Sequence, residues 1–210
     1  GDVYKRQIIY DTSTENVKEE LLKRFPYAEL IDTDLTMGLV DPEITDSLLV
    51  EQKNNLVFLE SQNLNVITSV SSLLNSQISK ERNINMLSSY RSETYENENI
   101  SFQHLGNLKF TYPTYFYPKY DEELNELNDL FFENFGKLPN KIVIRAYEIT
   151  LDLILRSAFR RKLVKSINIG ETKYYQNRFK YKKLNNGYIN ESVLLIQHDD
   201  LDVFEITSEK

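Results

Sequence analysis

The chain of 210 residues has no cysteine, two histidines and six glycines. Without cysteine there is no disulfide framework, no thiolate zinc site and no cysteine nucleophile. His104 and His198 lie far apart and have no companion at metal-ligand spacing, so no metal or other cofactor is expected. So few glycines leave no Gly-rich phosphate loop and no Gly-x-Ser-x-Gly elbow, and with them goes positive support for an enzyme. No run of about 18 apolar residues suits a membrane-spanning helix. The longest greasy stretch, Ile142 to Phe159, is broken by Arg145, Glu148, Asp152 and Arg156. The opening residues, Gly1-Asp2-Val3-Tyr4-Lys5-Arg6-Gln7, lack the apolar core of a secretory signal. Residues 1–7 read as a non-native leader, which places the first genuine residues near Ile8 and the true N-terminus upstream.

What the chain does contain is a core. Hydrophobic residues make up 40% of it and aromatics 12%, against 27% charged, a globular composition. A formal net charge of -7 argues against a general nucleic-acid binder, which needs clustered Lys and Arg. The charge is uneven. Ten Lys or Arg against one Glu between Arg156 and Lys183 give a local +9 and leave -16 on the remainder. A basic tract of this kind suits an anionic partner such as a cell-wall polymer or lipid head groups. The plainer reading is that Arg156, Arg160 and Arg161 complement the dipole at a helix end, and that Arg178, Lys180 and Lys182 are the wet side of a strand.

Strand candidates begin near residues 8, 29, 55 and 84, with helical patterns between them, the spacing of βαβ units and a parallel sheet. The first strand, Ile8-Ile9-Tyr10, leads into a capping box read as Thr12 with Glu15, then a helix with Val17, Leu21 and Phe25 on one face. Asp41-Pro42 caps a second helix. Asn55 to Glu60 is a buried parallel strand, followed by a helix carrying Ile67, Val70 and Leu74. Further on, Asp121 to Phe135 is an amphipathic helix striped by Leu124, Leu127, Phe131 and Phe135. The helix from about Lys141 to Phe159 is apolar on much of its circumference and is expected to be largely buried. Tyr175 to Lys182 alternates with period two, as in a half-exposed strand. Asn185-Asn186-Gly187 is a turn, and Val193, Leu195 and Val203 to Ile206 supply further strands.

Two blocks resemble type I periplasmic binding proteins, the family of leucine/isoleucine/valine-binding proteins and receptor ligand-binding regions. The first runs from Tyr112 through Tyr-Phe-Tyr-Pro-Lys-Tyr-Asp, a Phe-rich helix, Phe135-Gly-Lys-Leu-Pro and Arg145-Ala-Tyr-Glu to Leu155. The second, Tyr174 to Tyr181 with Gly187-Tyr188-Ile189-Asn190 and Val193-Leu194-Leu195, is similar to a Bacteroidetes branch often carried behind LysM peptidoglycan-binding modules. The family's Gly-Tyr-Asp stands here as Ala146-Tyr147-Glu148. The resemblance implies an α/β fold: a parallel-sheet Rossmann-like lobe over 8–110, a crossover and return segment over 111–206 contributing to an incomplete first lobe, and a tail at 207–210. It implies a non-enzymatic binding protein of the periplasm or cell envelope that captures a small polar ligand, such as an amino acid or peptide, between two hinged lobes for an ABC transporter. A cell-wall polymer would be reached through a LysM module outside this chain. The alternatives are an envelope scaffold that has lost small-molecule binding and an α/β hydrolase-like enzyme.

Ligands of open parallel sheets sit outside the carboxyl ends of the strands. Those ends place Asp11, Thr12 and Glu15 in the first loop, Glu60, Ser61 and Gln62 in the second, and Ser88, Ser89 and Glu93 in the third. Glu60 or Glu93 would accept from a ligand ammonium while the hydroxyl and amide groups donate or accept. The plainer reading makes Asp11 to Thr14 a helix cap and the others solvated loop residues. The aromatic stretch Tyr112, Tyr115, Phe116, Tyr117 and Tyr120 reads as packing more readily than as a sugar-stacking platform.

Overall fold

The computed structural model describes residues 4–33, 39–118, 125–160 and 163–206. Residues 1–3 of the expected leader, Tyr120, the expected helix start at Asp121 to Leu124, Arg161 and the tail 207–210 lie outside these ranges. The chain divides into two compact units, one of Gly1–Pro113 with Leu195–Lys210 and one of Thr114–Leu194. The boundary read from the sequence thus shifts from 110 to 113, and the last two strands rejoin the first unit instead of completing the return segment.

The first unit is a seven-stranded sheet covered by helices. In chain order its elements are β1 (Tyr4–Tyr10), α1 (Glu15–Arg24), β2 (Glu29–Asp32), α2 (Pro42–Leu48), β3 (Asn54–Glu60), α3 (Leu64–Ser76), β4 (Asn83–Leu87), α4 (Phe102–Asn107) and β5 (Thr111–Thr114). The sheet order is β11-β10-β5-β4-β3-β1-β2, where β10 is Leu194–Asp199 and β11 is Asp202–Glu205. β1 pairs in parallel with β2 and β3, β3 with β4, and β4 with β5, whereas β10 and β11 are antiparallel. β1 begins four residues before Ile8, so Tyr4 to Gln7 of the segment read as leader pair with Asn54 to Val57. Gln7 is buried and its amide donates to the Leu48 carbonyl at 2.7 Å.

Local chemistry explains the elements. β3 buries Asn55, Val57 and Leu59, and α3 buries Val66, Ile67, Val70 and Leu74 at the three- and four-residue spacing of one helix face. α3 starts where the Asn63 side chain accepts from the Asn65 and Val66 amides, and α2 where Asp41 accepts from Glu43 and Ile44, with Pro42 at the first helical position. The first cap is displaced by one residue from the expected Thr12–Glu15 box. Asp11 is the cap, its partner is Thr14, and a 3₁₀ turn at Thr12–Thr14 precedes α1.

The second unit holds α5 (Asn125–Phe135), α6 (Lys141–Arg160), α7 (Leu163–Ser166) and two small sheets. One sheet pairs β6 (Thr172–Lys173) with β7 (Arg178–Phe179), and the other pairs β8 (Tyr181–Leu184) with β9 (Gly187–Asn190) through the expected Asn185-Asn186 turn. The single strand expected over Tyr175 to Lys182 starts later, because the Gln176 and Asn177 amides go to the Glu148 carboxylate at 3.0 and 2.9 Å, and it breaks into β7 and β8 at Lys180, whose amide donates to Asn190 Oδ1 at 2.9 Å. α6 also departs from expectation. Its buried side chains are Ile144, Glu148, Asp152 and Arg156, one residue per turn, while Ile142, Ile154, Leu155 and Phe159 are exposed. The helix buries its polar stripe.

Candidate functional site

The strand order 2-1-3-4-5 reverses between β1 and β3, and at that switch point the carboxyl ends of neighbouring strands diverge to leave a crevice. The register aligns these ends: Tyr10 opposes Glu60, and Phe58 opposes Leu87. Asp11, Ser61 and Ser88, each the next residue along, therefore share one edge of the sheet.

The structure joins most of the sequence-selected residues there into one network. Ser61 Oγ donates to Asp11 Oδ2 across the switch point, and Asp11 Oδ1 accepts from the Ser13 amide at 2.8 Å and from the Ser13 hydroxyl. Thr14 Oγ1 donates to the Glu60 carbonyl at 2.6 Å, which ties the first loop to β3. The Glu60 carboxylate accepts from the Ser89 amide at 2.7 Å and the Ser89 hydroxyl at 2.8 Å, which ties β3 to the third loop. Ser88 Oγ donates to the Tyr90 carbonyl at 2.9 Å. Asp11, Glu60, Ser61 and Ser88 are all buried. Burial raises the Glu60 carboxyl above the usual carboxylate range, and the bonds from Ser89 pull partly against that.

Two layers result. Asp11 and Glu60 form an acidic floor whose present partners are the loops themselves, so their first effect is to fix loop geometry. The rim carries Thr12, Gln62, Ser89 and Glu93, all exposed. The Gln62 carbonyl accepts from Thr94 Oγ1 at 3.1 Å, which joins the second loop to the third. Glu93 opens the 3₁₀ turn Glu93–Glu96. Glu15 stands apart from the network, on the first turn of α1, and pairs with Lys18.

Sequence reasoning passed over three residues of this edge. Tyr90, 61% exposed between the Ser88–Ser89 pair and the buried Ser92, is the aromatic group that the first two loops lack. Its signal was the Ser-Ser-Tyr directly after β4. Thr14 and Thr94 act as the ties between loops, a role that no spacing announces. Of the aromatic stretch, Tyr112 is buried against Phe110 at 5.2 Å between ring centroids, as packing requires, whereas Tyr115 is exposed. The basic tract loses a member: Arg156 is buried and bound to Asp152 at 2.8 Å. Among the described residues no group of three His, Asp or Glu is placed to hold a metal ion, and no helix is long and apolar enough to cross a membrane.

No family model matches the chain, and no curated protein matches it in sequence. In structure it is similar to a solved branched-chain amino acid ABC transporter periplasmic ligand-binding protein from Burkholderia xenovorans LB400. The TM-score is 0.57 at 10% sequence identity, over 97% of this chain and 58% of that one. The chain thus spans less than two thirds of that protein's length. The likeness is one of fold: a mixed α/β lobe with a mostly parallel sheet, as in type I periplasmic-binding proteins.

Proposed function

We propose that this chain is a non-enzymatic, extracytoplasmic ligand-binding module that takes a small polar ligand, such as an amino acid or peptide, at the carboxyl edge of the first unit's sheet. The observation that carries this reading is the network at the topological switch point, where Asp11 and Glu60 sit buried beneath a rim of Thr12, Gln62, Ser89, Tyr90 and Glu93. Buried carboxylates beneath a hydroxyl-rich rim favour a ligand that presents an ammonium or another hydrogen-bond donor. Glu93 adds charge of the same sign. The fold likeness to a periplasmic ligand-binding protein supports the class of function and a periplasmic or envelope location. Transport as an ABC substrate-binding component, and a LysM-linked cell-wall partner, extend this reading to the longer proteins that the sequence resembles.

Calorimetry and thermal shift against amino acids, short peptides and sugars test it. A ligand of the folded state raises the melting midpoint by mass action. Tyr90→Ala is expected to weaken binding about tenfold, ~1.4 kcal/mol, the loss of one aromatic contact. Glu93→Gln is expected to weaken cationic ligands selectively. No midpoint shift with any of these compounds, together with sedimentation on cell-wall sacculi, would move the assignment to an envelope scaffold.

A further inference from the structure

His198 lies on β10, where the chain re-enters the first unit, and is 1% exposed. Its ring is boxed by Phe102 of α4 at 4.7 Å and by Phe110 and Tyr112 at 5.6 and 5.8 Å between centroids. Neither ring nitrogen has a hydrogen-bond partner among the described residues. Buried imidazole nitrogens are ordinarily paired, since each one left unmatched costs free energy. The hairpin that carries His198 is seated by close contact at its turn. A Cβ on Gly106 of α4 would lie 1.8 Å from the Asp200 carbonyl oxygen, and Gln103 donates to Asp200 at 3.1 Å.

We propose that His198 is an acid-sensitive latch: a proton taken up by its ring drives the β10–β11 hairpin off α4 and β5. The acids on the neighbouring segments are already engaged, and the aromatic faces around the ring are the one feature that favours a cation there. From the segment after β4, the Arg91 guanidinium lies 5.3 Å from the Tyr112 ring centroid and its field opposes a second cation. Glu96, the nearby acid, is engaged by Arg91 at 3.2 Å. Tyr95 stacks on Phe110 at 4.8 Å between ring centroids. Lys109 and Asp199 pair with each other, and Asp199, next to His198 along the strand, points to the opposite face. The residue across from His198 on β11 is Val203. His104, two positions after Phe102 on α4, looks to another side of that helix.

Burial first, and Arg91 second, lower the ring pKa from 6.5 to about 4. The released hairpin therefore binds more protons than the seated one between pH 6.5 and 4, and acid favours release. These two values set an increase of about twentyfold in hairpin opening between pH 7 and pH 5. Hydrogen exchange on the full chain, corrected for the intrinsic rate, should show that increase in residues 194–205 while β1, β3 and β4 keep their protection. His198→Phe, which keeps a ring and removes the proton site, should abolish the acid response. An equal response in this variant, or acid opening spread evenly over the whole sheet, would overturn the proposal. Independently of any variant, NMR titration of the native protein must find one of its two histidine rings silent down to about pH 5; two rings titrating near 6.5 would equally refute it.

Discussion

Arg156 shows what one buried charge organises. Its guanidinium donates to Asp152 Oδ2 at 2.8 Å, to Thr172 Oγ1 at 2.9 Å and to the carbonyls of Ser166, Gly170 and Phe179 at 3.1 to 3.2 Å. Asp152 in turn accepts from Thr172 Oγ1 at 2.6 Å and from the Tyr174 hydroxyl at 3.1 Å. Burial, then Asp152, push the Tyr174 phenol up to about 12. The carbonyls belong to the chain that follows α6, so the pair folds that chain onto the helix. Truncating one member strands the other in low dielectric, and Asp152→Ala is expected to cost about 3–5 kcal/mol of the second unit's stability. Asp152→Leu combined with Arg156→Met should recover much of that loss. Denaturant unfolding of the singles and the double checks the coupling, and simple additivity would deny it. In the sequence, Arg156 stands as a cation at a helix end. Nothing in a four-residue spacing says that carbonyls from residues 166–179 return to meet it.

Elements were legible where one periodicity met one environment. β3, β4 and α3 were readable because Val57, Leu59, Met86 and Val70 face a predominantly apolar core. α6 was not, because it carries two stripes. Periodicity alone favours burying Ile142, Ile154, Leu155 and Phe159, and the fold buries Glu148, Asp152 and Arg156, whose partners arrive from distant segments. The candidate site divides the same way: strand ends were predictable, whereas the ties through Thr14 and Thr94 are tertiary. The β10–β11 hairpin adds a constraint of its own. Because the Asp200 backbone lies where a Gly106 side chain would begin, Gly106→Ala must push the turn off α4. The expected cost is about 1–3 kcal/mol, the range for overpacking, with raised exchange confined to residues 194–205 at neutral pH. An unchanged melt in this variant would mean that the turn adjusts freely.

At the scale of the whole chain, the two units differ in how they are held. The first unit buries Ile8, Ile9, Leu59, Ile67, Leu74 and Phe110 completely or nearly so, along a continuous parallel sheet. In the second, the fully or nearly buried apolar side chains among the described residues are Ile144, Ile167, Phe179 and Leu194, and most of the buried polar groups described there belong to the Glu148 and Asp152–Arg156 networks. Burial of apolar area is the main stabilising term, and polar networks contribute little net free energy while they fix geometry. The second unit also leaves Leu130, Phe132, Phe135, Ile154 and Phe159 more than half exposed. Apolar surface on that scale binds hydrophobic dyes. The 210-residue chain is therefore expected to bind such a dye under native conditions and to unfold in two steps, with α5 and α6 losing exchange protection before β1, β3 and β4. Substituting Phe132 and Phe159 by serine should lower dye binding with little loss of stability, since neither side chain contributes to the core. A single sharp transition with low dye binding would show instead that the second unit is as firmly held as the first, and that its polar networks supply the stability its apolar core does not.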